Sequence, residues 1–365
     1  MKYVKPEYAD YDSPRKFQAI QGIIARRLLE HPNAICSYSG GSDSDTMLDL
    51  IEQTRKLFRL PPVDYAFFNT GLEMEATKRH VREQAEKYGV KITEYRPKIN
   101  IVQASRQFGI PFMSKIISER LESWQRHPEI PIDIATEFDG LDAAQAREKY
   151  AAYAEKGHVL SLLCFLTNRT QYGEEKCNQT CIASAPYLNE FMRDNPPDFK
   201  ITAKCCDYCK KSIAHEIRKN YEMDITGERN EEGGARTIGF AKGNEPGCFR
   251  ETSRGTFRLR PLFYVTDADK AWYKDYYGLR YSDAYEVYGL KRTGCCGCPI
   301  SWRATDDLEK IGQYEPYVAK AAWNIFGKSY EYRKKYNAYK TSRRIEESKL
   351  GTIPLFTDEE AGADE

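Results

Sequence analysis

The sequence has no long apolar run and no excess of charge of either sign. Nothing in its 365 residues approaches the apolar length that a membrane-spanning helix needs, so no membrane partner is expected. The segment 1–16 lacks the apolar core and the small-residue cleavage site of a secretory signal, which predicts a cytoplasmic protein. With 55 Lys and Arg against 54 Asp and Glu, the net charge of +1 excludes wholesale electrostatic binding of nucleic acid.

Histidine is also scarce, whereas cysteine is plentiful. The five His show no ligand spacing with one another and are interpreted as structural. The eleven Cys lie in a chain expected in a reducing compartment, where disulfides are rare, so their positions favour a metal or cluster site. Cys36 and Cys164 lie in apolar segments and are interpreted as core residues. Cys177 and Cys181 are interpreted as ordinary thiols, with a resolving or sulfur-carrying pair as the alternative.

Hydrophobic periodicity predicts alternating strands and helices. Short apolar segments bounded by turn residues predict strands, and residues with helical spacing predict the helices between them. The fold class expected is therefore α/β, with a parallel sheet and helices on both faces. The predicted strands are 34–39, 63–69, 91–96 and 223–229, and the predicted helices are 13–29, 44–58, 75–89 and 267–278.

The predicted organisation has three parts. Residues 1–30 form an N-terminal helical extension, 31–300 the main domain, and 301–365 a helical tail. The charged segment 115–200 is interpreted as a helical insertion in the main domain. The basic run 333–344 indicates either a phosphate-rich partner or a solvated helix face, and the second is preferred.

A glycine turn between the first strand and the next helix is the most specific signal. Its residues are Ser39, Gly40, Gly41, Ser42, Asp43 and Ser44. Two glycines allow close approach of the backbone to an anion, and the helix that follows presents unpaired N–H groups, so phosphate is the expected ligand. Asp43 is expected to help hold Mg²⁺ or to shape the turn. The motif is not a Walker loop, because its spacing is shorter and the lysine is missing.

Six of the cysteines form two tight groups. They are Cys205, Cys206 and Cys209, and Cys295, Cys296 and Cys298. Thiolates from two turns suit a soft metal or a cluster, and nearby Lys and Arg would favour the thiolate form. A structural Zn²⁺ site and free or redox thiols remain open alternatives.

The motif Ser-Gly-Gly-x-Asp-Ser resembles the loop of the PP-loop ATP pyrophosphatases, and the chain resembles the phosphoadenosine phosphosulfate (PAPS) reductase family among them. The segments 67–80, 111–115, 225–236 and 260–299 extend this resemblance to roughly residues 30–300. It implies that the glycine turn binds an adenine nucleotide and that Thr70, Gly71 and Glu73 line the neighbouring strand end. It implies further that Arg229 and Arg236 face the anionic end, with Asp43, Arg229 and Arg236 as the catalytic residues.

The cysteine order is similar to the four-cysteine set that binds a [4Fe-4S] cluster in adenylylsulfate reductases. The resemblance implies Cys205, Cys206, Cys295 and Cys298 as ligands, with Cys209 and Cys296 as alternates. In this superfamily a complete loop is associated with ATP, and no cysteine follows Cys298 to act as a reductase nucleophile.

The favoured function is therefore ATP-dependent sulfur transfer with release of pyrophosphate. The acceptor is a nucleic acid or a small molecule, and a sulfur- or electron-donor protein is the expected partner. The alternatives are a PAPS or adenylylsulfate reductase, and a non-catalytic nucleotide-binding protein with structural zinc.

Overall fold

A computed structural model describes residues 5–155, 159–175, 181–232, 248–253 and 255–349. The strands are β1 (Ala34–Ser37), β2 (Asp64–Phe68), β3 (Ile92–Tyr95), β4 (Met223–Ile225), β5 (Phe249–Glu251) and β6 (Phe257–Leu259). The first eight helices are α1 (Ser13–Glu30), α2 (Ser42–Phe58), α3 (Glu75–Tyr88), α4 (Ile101–Phe108), α5 (Lys115–Gln125), α6 (Ala143–Glu155), α7 (Leu160–Leu166) and α8 (Leu188–Asp194). They are followed by α9 (Lys204–Cys206), a π-helical turn (Asp207–Lys211), α10 (Ser212–Arg218), α11 (Asp267–Tyr277), α12 (Asp283–Glu286), α13 (Ala304–Tyr314) and α14 (Pro316–Lys349).

The strands form one mostly parallel sheet in the order β3-β2-β1-β4-β6-β5, flanked by helices. Four neighbouring pairs are parallel, which confirms the α/β prediction. The edge strand β5 runs antiparallel to β6, and the sequence did not predict this. The connection between these two strands, residues 252–256, is too short for the crossover that a parallel pair needs, so the chain turns back on itself as a hairpin.

The strands and helices predicted between residues 13 and 96 are confirmed to within a few residues. Buried Ala34, Ile35 and Cys36 form β1 and lie in the middle of the sheet. Helix α3 ends where Gly89 takes a left-handed conformation, with φ +65°. A glycine accepts this conformation without the penalty that a Cβ brings, which explains why the helix stops there.

Three hydrophobic clusters hold the described chain together. The first lies between the sheet and its helices and includes Phe17 and Ile24 of α1, as the helical spacing predicted. The second is built largely from residues between 112 and 201, the segment predicted as an insertion. The third surrounds the two cysteine groups. Helix α14 contributes to the second and third clusters and therefore joins them.

The sheet places three turns at one edge. The turns after β1, β2 and β4 all lie at the carboxyl ends of parallel neighbours, where ligands of open α/β sheets bind. They begin at Tyr38, Asn69 and Thr226. None of the helices in the described parts of the chain combines the length and the apolar composition required to cross a bilayer.

A buried ion pair fixes α1 to α11, and its loss is expected to destabilise the fold. Lys16 bonds to Asp269, and both side chains are less than a tenth exposed. Lys16→Ala leaves the carboxylate buried without its cation, which costs about 3 kcal/mol or more. The expected result is a clear drop in the urea midpoint of unfolding. Arg26→Ala on the same helix is the control, because Arg26 is 71% exposed in its pair with Glu30. Equal midpoints for the two variants would contradict this account.

Candidate functional site

Serine hydroxyl groups form hydrogen bonds within the glycine turn. Gly40 has φ +67°, which turns the chain from β1 into α2. The Ser44 hydroxyl accepts the Gly41 N–H at 3.0 Å and lies 3.0 Å from the Ser39 hydroxyl. The first turn of α2 follows directly, so its backbone N–H groups point to the same place. The turn thus has the local form of an anion site, and phosphate binding there stays a prediction.

Two cations lie at this turn, and both contact Asp43. Lys270 of α11 lies 2.8 Å from the carboxylate and also donates to the Ser42 hydroxyl at 3.1 Å. The Arg229 Nε lies 2.9 Å from the same carboxylate oxygen. The structure therefore brings Arg229 to the turn, next to Asp43. Sequence reasoning missed Lys270, whose only signal was its place within the segment 260–299.

A buried polar network connects the residues on either side of the glycine turn to α3. Asp45 accepts the Tyr38 hydroxyl at 2.5 Å and lies 2.9 Å from the His80 Nε2. All three residues are nearly inaccessible to solvent. This network links β1, α2 and α3, which confirms a structural role for His80.

The turn after β2 lies against the second cysteine group. The Thr70 hydroxyl donates to Glu73 at 2.9 Å and lies 3.4 Å from the Cys295 sulfur. Glu73 forms a β-bridge with Cys295, and its carboxylate is 3.8 Å from the Lys210 ammonium. The Gly71 N–H donates to Asn69 at 2.9 Å, within the turn itself. Two of the three residues expected at the nucleotide thus make their side-chain contacts at the thiols.

All six grouped cysteines line one cavity of about 220 Å³. The prediction that the fold brings the two groups together is confirmed. One wall is the π-helical turn with its flanking residues, which carries Cys205, Cys206 and Cys209. The other wall is the cysteine turn, defined here as residues 293–298. Within the part of the chain that the structure describes, no three Cys, His, Asp or Glu side chains are grouped so that they could hold one metal ion.

The thiols affect one another electrostatically. Burial, followed by the neighbouring Cys295, raises the pKa of Cys298 to about 12. The hydrogen bond between Cys205 and Cys206 raises the pKa of Cys205 and lowers that of Cys206. The charges of Lys115 and Lys210 also lower the pKa of Cys206. The predicted cationic neighbour Lys210 therefore lies at the thiols, where it favours the ionised form.

The two alternate cysteines differ in their surroundings. Cys209 donates its S–H to the Ile99 carbonyl at 3.3 Å. Burial raises the pKa of Cys296 to about 12, and Glu315 and Glu73 raise it more than any thiol does. Burial, followed by the neighbouring Cys295 and Cys206, also raises the pKa of Cys209, so Cys209 lies among the other thiols, whereas Cys296 is influenced more by carboxylates than by thiols.

Helix α14 holds the cysteine turn in place. Gly297 has φ +63°, and a Cβ at this position would lie 2.2 Å from Leu308 and 2.6 Å from the Tyr330 hydroxyl. Tyr330 also donates to the Gly297 carbonyl, and Arg333 donates to the carbonyls of Pro299 and Ser301. Arg333 belongs to the basic run that the sequence analysis assigned to a solvated face, yet it is half-buried here.

The glycine turn and the cysteine turn touch. A Cβ on Gly41 would lie 2.9 Å from the Thr293 hydroxyl, and Thr293 also lines the thiol cavity. Tyr285 of α12 bonds to both turns. Sequence reasoning missed Thr293 and Tyr285 as site residues, because neither carries a motif of its own.

The remaining candidates lie away from this site or outside the described residues. Cys36 is fully buried in the sheet core, as predicted, and Cys248 lies in the same core. Cys164 is half-buried against the second cluster. Arg236 and Cys177 lie outside the described residues.

Comparison with known proteins agrees with the resemblance seen in the sequence. Residues 33–122, which run from β1 into α5, match the family model of the phosphoadenosine phosphosulfate reductase domain. No curated protein matches the chain. The chain is similar to the phosphoadenylyl-sulfate (PAPS) reductase from Candida auris in its phosphate complex, at 16% identity and TM-score 0.37, over 76% of this chain and 87% of that one. It is also similar to the U34-tRNA thiolase NcsA from Methanococcus maripaludis with its [4Fe-4S] cluster, at 12% identity and TM-score 0.34, over 91% and 84%.

Substitution of Gly297 is expected to displace the cysteine turn. Gly297→Ala adds a Cβ to a left-handed residue that has no space for it. Gly289→Ala is the control, because Gly289 has nearly the same φ (+65°) with nothing within 4 Å of its Cβ position. The free energy of unfolding of the control is expected to fall by about 1 to 2 kcal/mol from backbone strain alone. That of Gly297→Ala is expected to fall further because of the clash. Thermal unfolding measures both, and equal losses would contradict the packing described.

Proposed function

We propose, starting from the match of residues 33–122 to a phosphoadenosine phosphosulfate reductase domain, that the protein is an ATP-dependent sulfur-transfer enzyme. The glycine turn binds the triphosphate of ATP with Mg²⁺, an acceptor oxygen attacks the α-phosphorus, and pyrophosphate leaves. Hydrosulfide, supplied by a sulfur donor and held at the thiol cavity, then attacks the adenylated acceptor, forms the new bond to sulfur and displaces AMP. The observation that supports the proposal is the contact between the two turns, because the turn proposed for activation is next to the thiol cavity.

The charges at the glycine turn support a phosphate ligand. Lys270 and Arg229 are paired with Asp43, and a bound triphosphate competes for both cations. Once these cations turn to the phosphate, the Asp43 carboxylate is available for Mg²⁺, the hard ion that carboxylates and phosphates share. Two fixed cations beside the reacting phosphate also stabilise charge that develops during pyrophosphate release.

The lining of the thiol cavity suits an iron–sulfur cluster. Six thiols line one cavity, and the cationic Lys210 lies beside them. Cys205, Cys206, Cys295 and Cys298 are the proposed ligands, following the four-cysteine pattern that the sequence resembles, with Cys209 and Cys296 in the same cavity as alternates. A [4Fe-4S] cluster bound there would supply electron or sulfur chemistry. The residues Thr70 and Glu73 orient Cys295 at the cavity wall.

Metal content is the first expected outcome. Protein purified without oxygen is expected to be brown and to hold about four irons per chain, the content of a four-cysteine [4Fe-4S] site. Cys298→Ala is expected to lose most of this iron, whereas Cys248→Ala, in the sheet core, is expected to keep it. Iron, sulfide and zinc analysis with an absorption spectrum measures this. Colourless protein with one zinc would contradict the cluster and favour a binding protein.

Lys270 is expected to determine nucleotide affinity. Lys270→Ala removes a charged hydrogen-bond donor from the turn, which is worth about tenfold or more in affinity for Mg²⁺-ATP. Lys274→Ala is the matched control, because Lys274 lies on the same helix and pairs with Glu286 instead. Titration calorimetry measures binding, and pyrophosphate release measures turnover. Reduction of a sulfonucleotide to sulfite, with no pyrophosphate from ATP, would assign the reductase function in its place.

A further inference from the structure

The Tyr285 hydroxyl joins the glycine turn to the cysteine turn. It accepts the backbone N–H of Ser42 at 3.3 Å and the backbone N–H of Thr293 at 3.2 Å. It also lies 3.3 Å from the Thr293 hydroxyl. A phenol oxygen has two acceptor lone pairs and one O–H, so the two backbone bonds use both lone pairs and the O–H donates to the Thr293 hydroxyl. The hydrogen-bonding capacity of this one hydroxyl is fully used by the two turns.

These bonds are suited to exchange when a ligand arrives. All three are longer than the usual N–H···O distance of about 2.9 Å, so each is weak. The Ser42 N–H belongs to the first turn of α2, where the proposed phosphate lies. An anionic oxygen is a better acceptor than a hydroxyl, both for this N–H and for the phenol O–H. An anion at the turn therefore competes with Tyr285 for the Ser42 N–H and with the Thr293 hydroxyl for the phenol O–H.

The cysteine turn has open space at Gly294. This residue has φ +147° with nothing within 4 Å of its Cβ position, so that side of the backbone between Thr293 and Cys295 has room for a change of conformation. The later residues are fixed, because the Cys296 N–H donates to the Leu72 carbonyl and Gly297 is packed against α14. Release of Thr293 thus moves one rim of the thiol cavity while the opposite end of the turn stays anchored.

We infer that Tyr285 is a positioning residue that couples nucleotide binding at the glycine turn to opening of the cysteine turn at Thr293. The inference rests on the proposed nucleotide site and adds the order of events to it: the rim of the thiol cavity is released once the nucleotide is bound. Such coupling is reciprocal, so a change that releases Thr293 also alters nucleotide affinity. The role of Tyr285 requires its hydroxyl and not only its ring.

Hydrogen–deuterium exchange on the protein as purified tests this coupling. The ligand is the α,β-methylene analogue of ATP with Mg²⁺, which cannot release pyrophosphate. In the wild type, a peptide covering residues 39–46 is expected to exchange more slowly with the analogue. A peptide covering residues 291–297 is expected to exchange about fivefold faster or more, the lower end of typical coupling. In Tyr285→Phe the second peptide exchanges fast without the analogue and no longer responds, whereas the first is still protected.

Tyr288→Phe is the matched control, because its hydroxyl bonds to Glu315 and not to either turn. It is expected to respond as the wild type does. If Tyr285→Phe fails to fold, Thr293→Val removes the acceptor of the phenol O–H and is expected to reduce the response of residues 291–297 by at least half. Either of two results overturns the inference alone. In the first, the wild-type 39–46 peptide is protected but the 291–297 peptide does not respond. In the second, the response of the 291–297 peptide is unchanged in Tyr285→Phe. An unprotected 39–46 peptide overturns the proposed nucleotide site and the inference with it.

Discussion

The close packing of the cysteine turn against helix α14 is the constraint on which the site depends. Gly297 leaves no space for a Cβ between Leu308 of α13 and Tyr330 of α14, so the turn packs closely against both helices. Helix α14 contributes Phe326 to the cluster around the cysteines and Tyr336 to the core of the segment 112–201. Closely packed protein interiors are hard to compress, so a displacement of the helix is passed on to the residues that contact it. The position of the thiols is therefore set by the C-terminal helix as much as by the sheet.

The sheet half of the site was largely predictable from the sequence, for a physical reason. The turn at Gly40 and Gly41 follows a strand and precedes a helix, so its residues, its position at the sheet edge and its anion-binding form all come from one local segment. The stop of α3 at Gly89 is equally local. Patterns of this kind need no knowledge of what lies across the fold.

Contacts between distant segments were not predictable in the same way. Lys270 and Tyr285 reach the glycine turn from more than 200 residues along the chain, and no pattern around either residue indicates that contact. Thr70 and Glu73 follow the strand that the sequence identified, but their side chains turn to Cys295. The strand β5 runs antiparallel because its connection to β6 is short, and its own residues carry no signal of direction.

The separation of the two ligand types follows from charge. At the glycine turn, Asp43 pairs with Lys270 and Arg229, and Arg229 also pairs with Asp267, so the two cations already have counter-charges that the proposed triphosphate with Mg²⁺ would replace. At the thiol cavity, the Lys210 ammonium lies 3.8 Å from the Glu73 carboxylate and interacts with the Cys295 sulfur, so it offsets part of the charge that thiolates bring there. Each of the two proposed sites thus has charged side chains of its own, and the Tyr285 hydroxyl bonds to both turns. In the proposed mechanism, this shared hydroxyl is the route by which one site affects the other.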